Sequence, residues 1–157
     1  MAARNGNSAV LDDRTLTITR LFDAPRDLVF KAWTDPAMSG QWMGPRHYPA
    51  FHVEGDVRTG GTWRIGLREA DGSKERWQGG VYREVSPPQR LVFTSAWDQD
   101  DGSRGPETLV TVTFAEEDGR TRMTFHQGVF NTASNRDGHS QGWNSVFDRL
   151  TDYLRKH

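Results

Sequence analysis

Gly142-Trp143-Asn144-Ser145-Val146-Phe147-Asp148-Arg149-Leu150-Thr151-Asp152-Tyr153-Leu154 is the stretch on which the fold turns. Trp143, Val146, Phe147, Leu150 and Leu154 recur at spacings of three and four, which places them on one broad apolar face of a helix. Almost everything upstream reads as short strands and turns. A long amphipathic helix at the end of an antiparallel sheet must bury its apolar face against that sheet. If the sheet is curved, helix and sheet enclose a cavity rather than a solid core.

The helix is expected to begin near Ser134, where Ser134-x-x-Asp137 resembles a capping box with Asp as its third member. It runs to about Lys156, and Arg149, Arg155 and Lys156 suit its negative C-terminal end. Immediately upstream, Asp118-Gly119 turns a strand over residues 107–115 into one over 120–129. Val110, Val112 and Phe114 share one side of the first, and Met123, Phe125 and Gln127 the inner face of the second. Earlier strands are expected over 91–97, 75–85, 62–69 and, irregularly, 51–57, with Gly60-Gly61, Asp71-Gly72 and Pro87-Pro88 between them. Trp63, Ile65 and Leu67 alternate with Arg64 and Arg68, and Trp77, Gly79, Val81 and Val85 share one face of the next strand.

At the front, residues 15–22 alternate Leu16, Ile18 and Phe22 with Thr17 and Thr19, and Arg20 falls on the apolar phase. Asp23-Ala24-Pro25 opens a helix over 26–34 with Asp23 as the cap, burying Val29, Phe30 and Trp33. It stops before Pro36. A second short helix from Asp35-Pro36 carries Met38 and Trp42 and ends at Gly44-Pro45. The order is strand, two short helices, six strands, long helix. That order predicts one α+β domain over residues 14–157 behind a flexible polar tail over 1–13.

The formal net charge is -1 and cysteine is absent. No basic excess points to nucleic acid, and disulfides, zinc–thiolate sites and thiol nucleophiles are excluded. No apolar run approaches the roughly 20 residues that span a bilayer, and the N-terminus has no apolar signal core. The chain reads as a cytoplasmic protein, monomer or homodimer. Six Trp and eight Phe in a chain only 34% hydrophobic are the compositional oddity. Large rings fill core volume with few residues, and they also line ligand pockets.

No Gly-x-Ser-x-Gly elbow is present, and no Ser is placed beside a His by sequence logic. His47 and His52, the closest pair, lack a metal-ligand spacing, His126 sits on an outward strand phase, and His139 lies early in the last helix. Asp98-Gln99-Asp100-Asp101-Gly102 is not a calcium loop. Counted from Asp98, its sixth position is Ser103 rather than Gly, and its twelfth is Leu109 rather than Glu. Gly60-Gly61 lacks the Lys and the context of a phosphate loop. Arg58, Arg64, Arg68, Arg76 and Arg83 read as a solvated outer sheet face. No catalytic residue, metal or cofactor is expected.

The interior face holds the candidate site. Trp63, Ile65, Trp77, Val81, Phe93, Trp97, Val112, Phe114, Phe125 and Gln127 would line the concave side of the sheet. Trp33 from the first helix, and Trp143, Val146 and Phe147 from the last, would close it. Gly79 and Gly142 put no side chain there. Gln127, Arg20 and the indole N–H groups are candidates for the few polar groups that orient a ligand.

Several motifs together resemble a known family. Thr19-Arg20-Leu21-Phe22-Asp23-Ala24-Pro25, Val29-Phe30-Lys31-Ala32-Trp33-Thr34-Asp35-Pro36 and Trp42-Met43-Gly44-Pro45 are similar to the opening of the SRPBCC (START-like) superfamily. The subgroup they resemble is the homologues of the activator of the heat-shock-protein-90 ATPase. Asp56 to Trp63, Asp71-Gly72, Gly80 to Val85 with Pro87-Pro88, and Gly142-Trp143 continue the pattern in order. The resemblance spans about residues 15–156. It implies a helix-grip fold, a strongly bent seven-stranded antiparallel sheet wrapped round a long C-terminal helix with two short helices after the first strand. Members of the superfamily include lipid and sterol carriers, polyketide cyclases and aromatases, self-sacrificing resistance proteins and a eukaryotic co-chaperone domain. The matched motifs are turns, caps and core rings, so no catalytic residue carries over. The expectation is a small hydrophobic molecule (lipid, polyketide or aromatic metabolite) bound in an internal cavity. A cyclase- or hydrolase-type enzyme acting in that cavity, and a chaperone-associated interaction domain, are the alternatives.

Overall fold

A computed structural model describes residues 13–157, so residues 1–12 of the expected tail lie outside the described residues. The chain runs β1 (Leu16–Phe22), α1 (Arg26–Thr34), α2 (Pro36–Ser39), β2 (Ala50–Gly55), β3 (Thr62–Arg68), β4 (Glu75–Ser86), β5 (Arg90–Trp97), β6 (Thr108–Glu117), β7 (Arg120–Gly128) and α3 (Ala133–Arg155). The described strands form one antiparallel sheet in the order β1-β7-β6-β5-β4-β3-β2. β2 to β7 make a meander, and β1 pairs with β7 from Leu16 opposite Gln127 to Phe22 opposite Thr121. Register shifts at Ala50/His52 and Tyr82/Glu84 mark bulges, which bend a strand and increase its twist. This is the α+β helix-grip architecture, a curved seven-stranded antiparallel sheet around a long C-terminal helix, with two short helices after β1.

Burial explains the grip. α3 presents Val146, Phe147, Leu150, Tyr153 and Leu154 to the concave face. The Phe147 ring meets Phe125 of β7 at 5.3 Å and Trp33 of α1 at 6.1 Å. Each such side chain stabilises the fold by roughly 1.5–3 kcal/mol when removed from water. α1 buries Val29, Phe30, Ala32 and Trp33 against the same core.

The caps differ from expectation. Asp23 does not cap α1; Pro25 holds the N-cap position without a side-chain bond, and its carbonyl accepts from Leu28 and Val29. Asp35 caps α2 by accepting from the Ala37 N–H. That helix ends at Ser39, so Trp42 lies beyond it, held by its indole N–H on the Ala32 carbonyl at 3.1 Å. α3 is capped by Thr132 rather than Ser134. Thr132 has extended backbone and its hydroxyl accepts from Asn135 N–H, whereas Ser134 is already inside the helix.

The larger correction is the phase of β4. Ile65 pairs with Gln78 and Trp63 with Gly80, so Arg76, Gln78 and Gly80 share the inner face with β3's buried residues. Trp77, Gly79 and Val81 take the opposite face. Trp77 has a physical reason to be there: Gly66 opposite it leaves a space, and a Cβ at Gly66 would sit 2.8 Å from the Trp77 ring. Phe51 packs edge-on against Trp77 at 5.3 Å, and the Arg64 guanidinium lies 4.9 Å from its ring centroid. The bulge at Tyr82/Glu84 then returns Val85 to the core side.

Arg20 is likewise reassigned. It faces inward at the sheet edge, but it donates to the Asp148 carboxylate at 2.9 Å and to the Asn144 backbone and side-chain oxygens at 3.1 Å. It ties β1 to α3 instead of facing a cavity.

Candidate functional site

The inner face of α3 changes character along its length. Its C-terminal half is solid apolar packing, whereas its N-terminal half presents Asn135, Gly138, His139, Gly142 and Trp143 to an open recess. The glycines leave room: a Cβ at Gly138 would meet nothing within 4 Å, and one at Gly142 only Pro45 Cγ at 3.8 Å. Met43, His47 and Tyr48 wall the recess from the segment before β2, and Leu67, Arg76, Gln78, Trp97 and Gln127 from the sheet. Its volume is about 400 Å³. A second space of about 40 Å³, the inner chamber, lies among Trp33, Ser39, Trp63, Ile65, Tyr82 and Phe93 and reaches the exposed Glu54 and Gly55. Met43, Gln78 and Trp143 border both.

Magnitude separates the two spaces. Small-molecule sites run to roughly 300–1,000 Å³, while a single water needs only about 10–15 Å³ of comparable space. The recess is ligand-sized; the inner chamber takes a few waters.

Hydrogen bonds hold the aromatic walls in place. The Trp143 indole N–H donates to Gln127 Oε1 at 2.8 Å, and Gln127 Nε2 donates to Thr108 Oγ1 at 2.9 Å. Across the recess, the Trp97 indole N–H donates to His139 Nε2 at 3.0 Å, and His139 Nδ1 lies 2.9 Å from the Asn135 carbonyl. Only the neutral, Nδ1-protonated ring serves both contacts, accepting from Trp97 and donating to Asn135. Burial, opposed by the Asn135 contact and reinforced by the nearby Arg76 charge, holds the His139 pKa below its ordinary value. The Arg76 guanidinium stacks over Trp97 at 4.1 Å from the ring centroid.

Two polar groups beside these spaces are left uncommitted. Among the described residues the Trp33 indole N–H is buried without a hydrogen-bond partner, and the Gln78 side chain, which borders both spaces, makes no hydrogen bond. Burial pushes the Tyr82 phenol up to about 12.

Of the residues expected to line a cavity, Trp33, Trp63, Ile65 and Phe93 border the inner chamber, Trp97 and Gln127 the recess, and Trp143 both. Val112, Phe114, Phe125 and Phe147 face inward but are closed off as packed core, none more than 2% exposed. Trp77 and Val81 are on the far side of the sheet. Sequence reasoning missed His139, Arg76, Gln78 and Tyr82. His139 carried a usable signal, since it lies four residues before Trp143 on the same helix face. The other three follow from the β4 register alone. Among the described residues there is no cluster of three or more His, Cys, Asp or Glu that could hold a metal ion.

A long helix gripped by a curved antiparallel sheet, with a recess between them, defines a START-like domain of the SRPBCC type. The chain belongs to the family described as activator of Hsp90 ATPase homolog 1-like protein, whose family model matches residues 23–155. A crystal structure of an AHSA1 protein from Silicibacter pomeroyi is 26% identical, covering 91% of this chain and 99% of that one, with a TM-score of 0.82. A protein from Mycobacterium smegmatis is 27% identical over 92% of each chain, with a TM-score of 0.78. One from Chromobacterium violaceum, at 22% identity, 90% and 96% coverage and a TM-score of 0.82, shares the fold. Among curated proteins there is no match to this chain. Among the described residues no helix is long and apolar enough to cross a membrane.

Proposed function

We propose that this chain binds a small hydrophobic molecule, of the lipid, polyketide or aromatic-metabolite kind, in the recess beside the N-terminal half of α3. The observation that carries the reading is the pairing of volume and wall. About 400 Å³ is held open by two helix glycines and faced by Met43, Leu67, Trp97, Trp143 and Val146, with polar groups from Arg76, Gln78, Gln127, Asn135 and His139 beside them. Mostly apolar walls with a few placed polar groups are the usual character of such sites.

Binding is favoured over catalysis by the state of the one half-buried histidine. Both ring nitrogens of His139 are engaged, so its lone pair is not offered to a substrate. The partly buried Arg149 guanidinium is occupied by the carbonyls of Gln41, Met43 and Gly44.

The test uses the neutral dye N-phenyl-1-naphthylamine. Its fluorescence should rise on mixing with the protein, and displacement by a panel of fatty alcohols, sterols and polyphenols should then name the class. Absence of dye enhancement, together with no quenching of tryptophan emission by any panel member, would remove the proposal.

A further inference from the structure

The recess carries a fixed positive charge and no negative one. Its lining residues that can carry positive charge are Arg76, His47 and His139, and there is no Asp or Glu among the lining residues. Arg76 sits on the inner face of β4 opposite Leu67. Neighbouring arginines of this sheet are paired, Arg64 with Asp98 and Arg68 with Glu75. Arg76 has neither an ion pair nor a hydrogen bond among the described residues; its guanidinium lies over the Trp97 ring, with its charge near His139. Stacking on an aromatic face fixes the plane of a guanidinium while leaving its N–H edge free, and that edge matches a carboxylate in two-point geometry.

We propose that the ligand is an amphipathic carboxylate whose acid group is held by Arg76, while its apolar body lies against Trp97, Trp143 and Val146. This rests on the binding reading above and names the ligand's chemistry. A carboxylate fits better than a phosphate because the recess supplies one fixed cation; the buried His139 ring is neutral, and a dianion would go half-compensated.

The experiment compares matched pairs on the native chain by tryptophan quenching: 2-naphthoate against 2-naphthamide, and decanoate against decanol. Because Arg76 is open to solvent, each acid should bind roughly two- to fivefold tighter than its neutral partner. Added salt should shrink that advantage. Arg76→Gln should abolish the preference, each acid then binding no tighter than its neutral partner, and Arg76→Lys should keep part of it. Equal affinity of acid and neutral partner for the native chain overturns the proposal, as does a preference that survives Arg76→Gln, or 2-naphthyl phosphate binding tighter than 2-naphthoate. If Arg76→Gln does not fold, the native-chain ratio and Arg76→Lys still decide. Failure of the neutral dye, the acids and their neutral partners all to bind would strike the binding reading itself; dye binding with no acid preference would strike this inference alone.

Discussion

Trp97 on β5 and His139 on α3 share a hydrogen bond of 3.0 Å, joining sheet to helix across the recess. The bond requires an unprotonated Nε2, so this contact links the wall of the site to pH.

The sign follows from the lowered His139 pKa. As pH falls, the unfolded chain takes up this proton first, at the ordinary value of 6.5. The stabilisation is therefore fully present above that pH and is lost as pH drops toward the lower folded-state pKa. We expect the melting temperature to fall as pH drops below 6.5, and His139→Gln to flatten that slope. Asp98, held low chiefly by its bond to Arg64, acts in a separate window, its contribution fading below the ordinary carboxylate value of 3.8. Parallel melting curves for the native chain and His139→Gln would refute the assignment.

Arg20 links the edge strand β1 to α3 through Asp148 and Asn144. The Asp148 side chain is 56% exposed, so screening limits the effect. Arg20→Ala should destabilise the fold by about 1–2 kcal/mol in urea unfolding, while Arg20→Met, which keeps the apolar stem, should lose less.

Gly142 distinguishes open space from tight packing. With 3.8 Å to the nearest atom, Gly142→Ala should gain about 0.5–1 kcal/mol from helix propensity alone. Gly142→Phe should narrow the recess and weaken dye binding without unfolding the chain. Gly66→Ala is the contrast, because the new Cβ would strike the Trp77 and Phe51 rings at 2.8 and 2.9 Å; it should lower the melting temperature.

Gln127, 2% exposed, orients Trp143 and engages Thr108. Gln127→Leu keeps the volume but removes both bonds, and we expect a loss of about 1–2 kcal/mol with a shift in tryptophan emission. Unchanged stability and emission together would show that the network does not position the indole.

The architecture was legible because its signals are local and redundant. The α3 stripe, the alternation in β3, β6 and β7, and the Asp-Gly turns each agree with the same fold. Caps were less legible: whether Asp23 or Pro25, Ser134 or Thr132 precedes the first helical turn is a matter of one or two residues of backbone geometry.

The candidate site was legible only in part. Gln127 and Trp143 stood out as an amide and a ring on elements whose alternation or helical stripe gave their phase, and Trp97 as a ring at the end of its strand. β4 misled because Trp77, Val81 and Val85 mimic an inner face, while the paired glycines Gly79-Gly80 erase the side-chain contrast that would reveal the true phase.

Periodicity along the chain was enough to establish the element order, the family pattern and the apolar face of the final helix, since these depend on neighbours within one or two turns. Which side of β4 faces the helix, and thus whether Arg76 or Trp77 borders the recess, depended on strand register. Register is settled by contacts between distant residues, here Trp77 lying across Gly66, and a shift of one residue reverses every side chain. The tertiary structure therefore decided that the helix grips a packed core at one end and borders an open recess at the other.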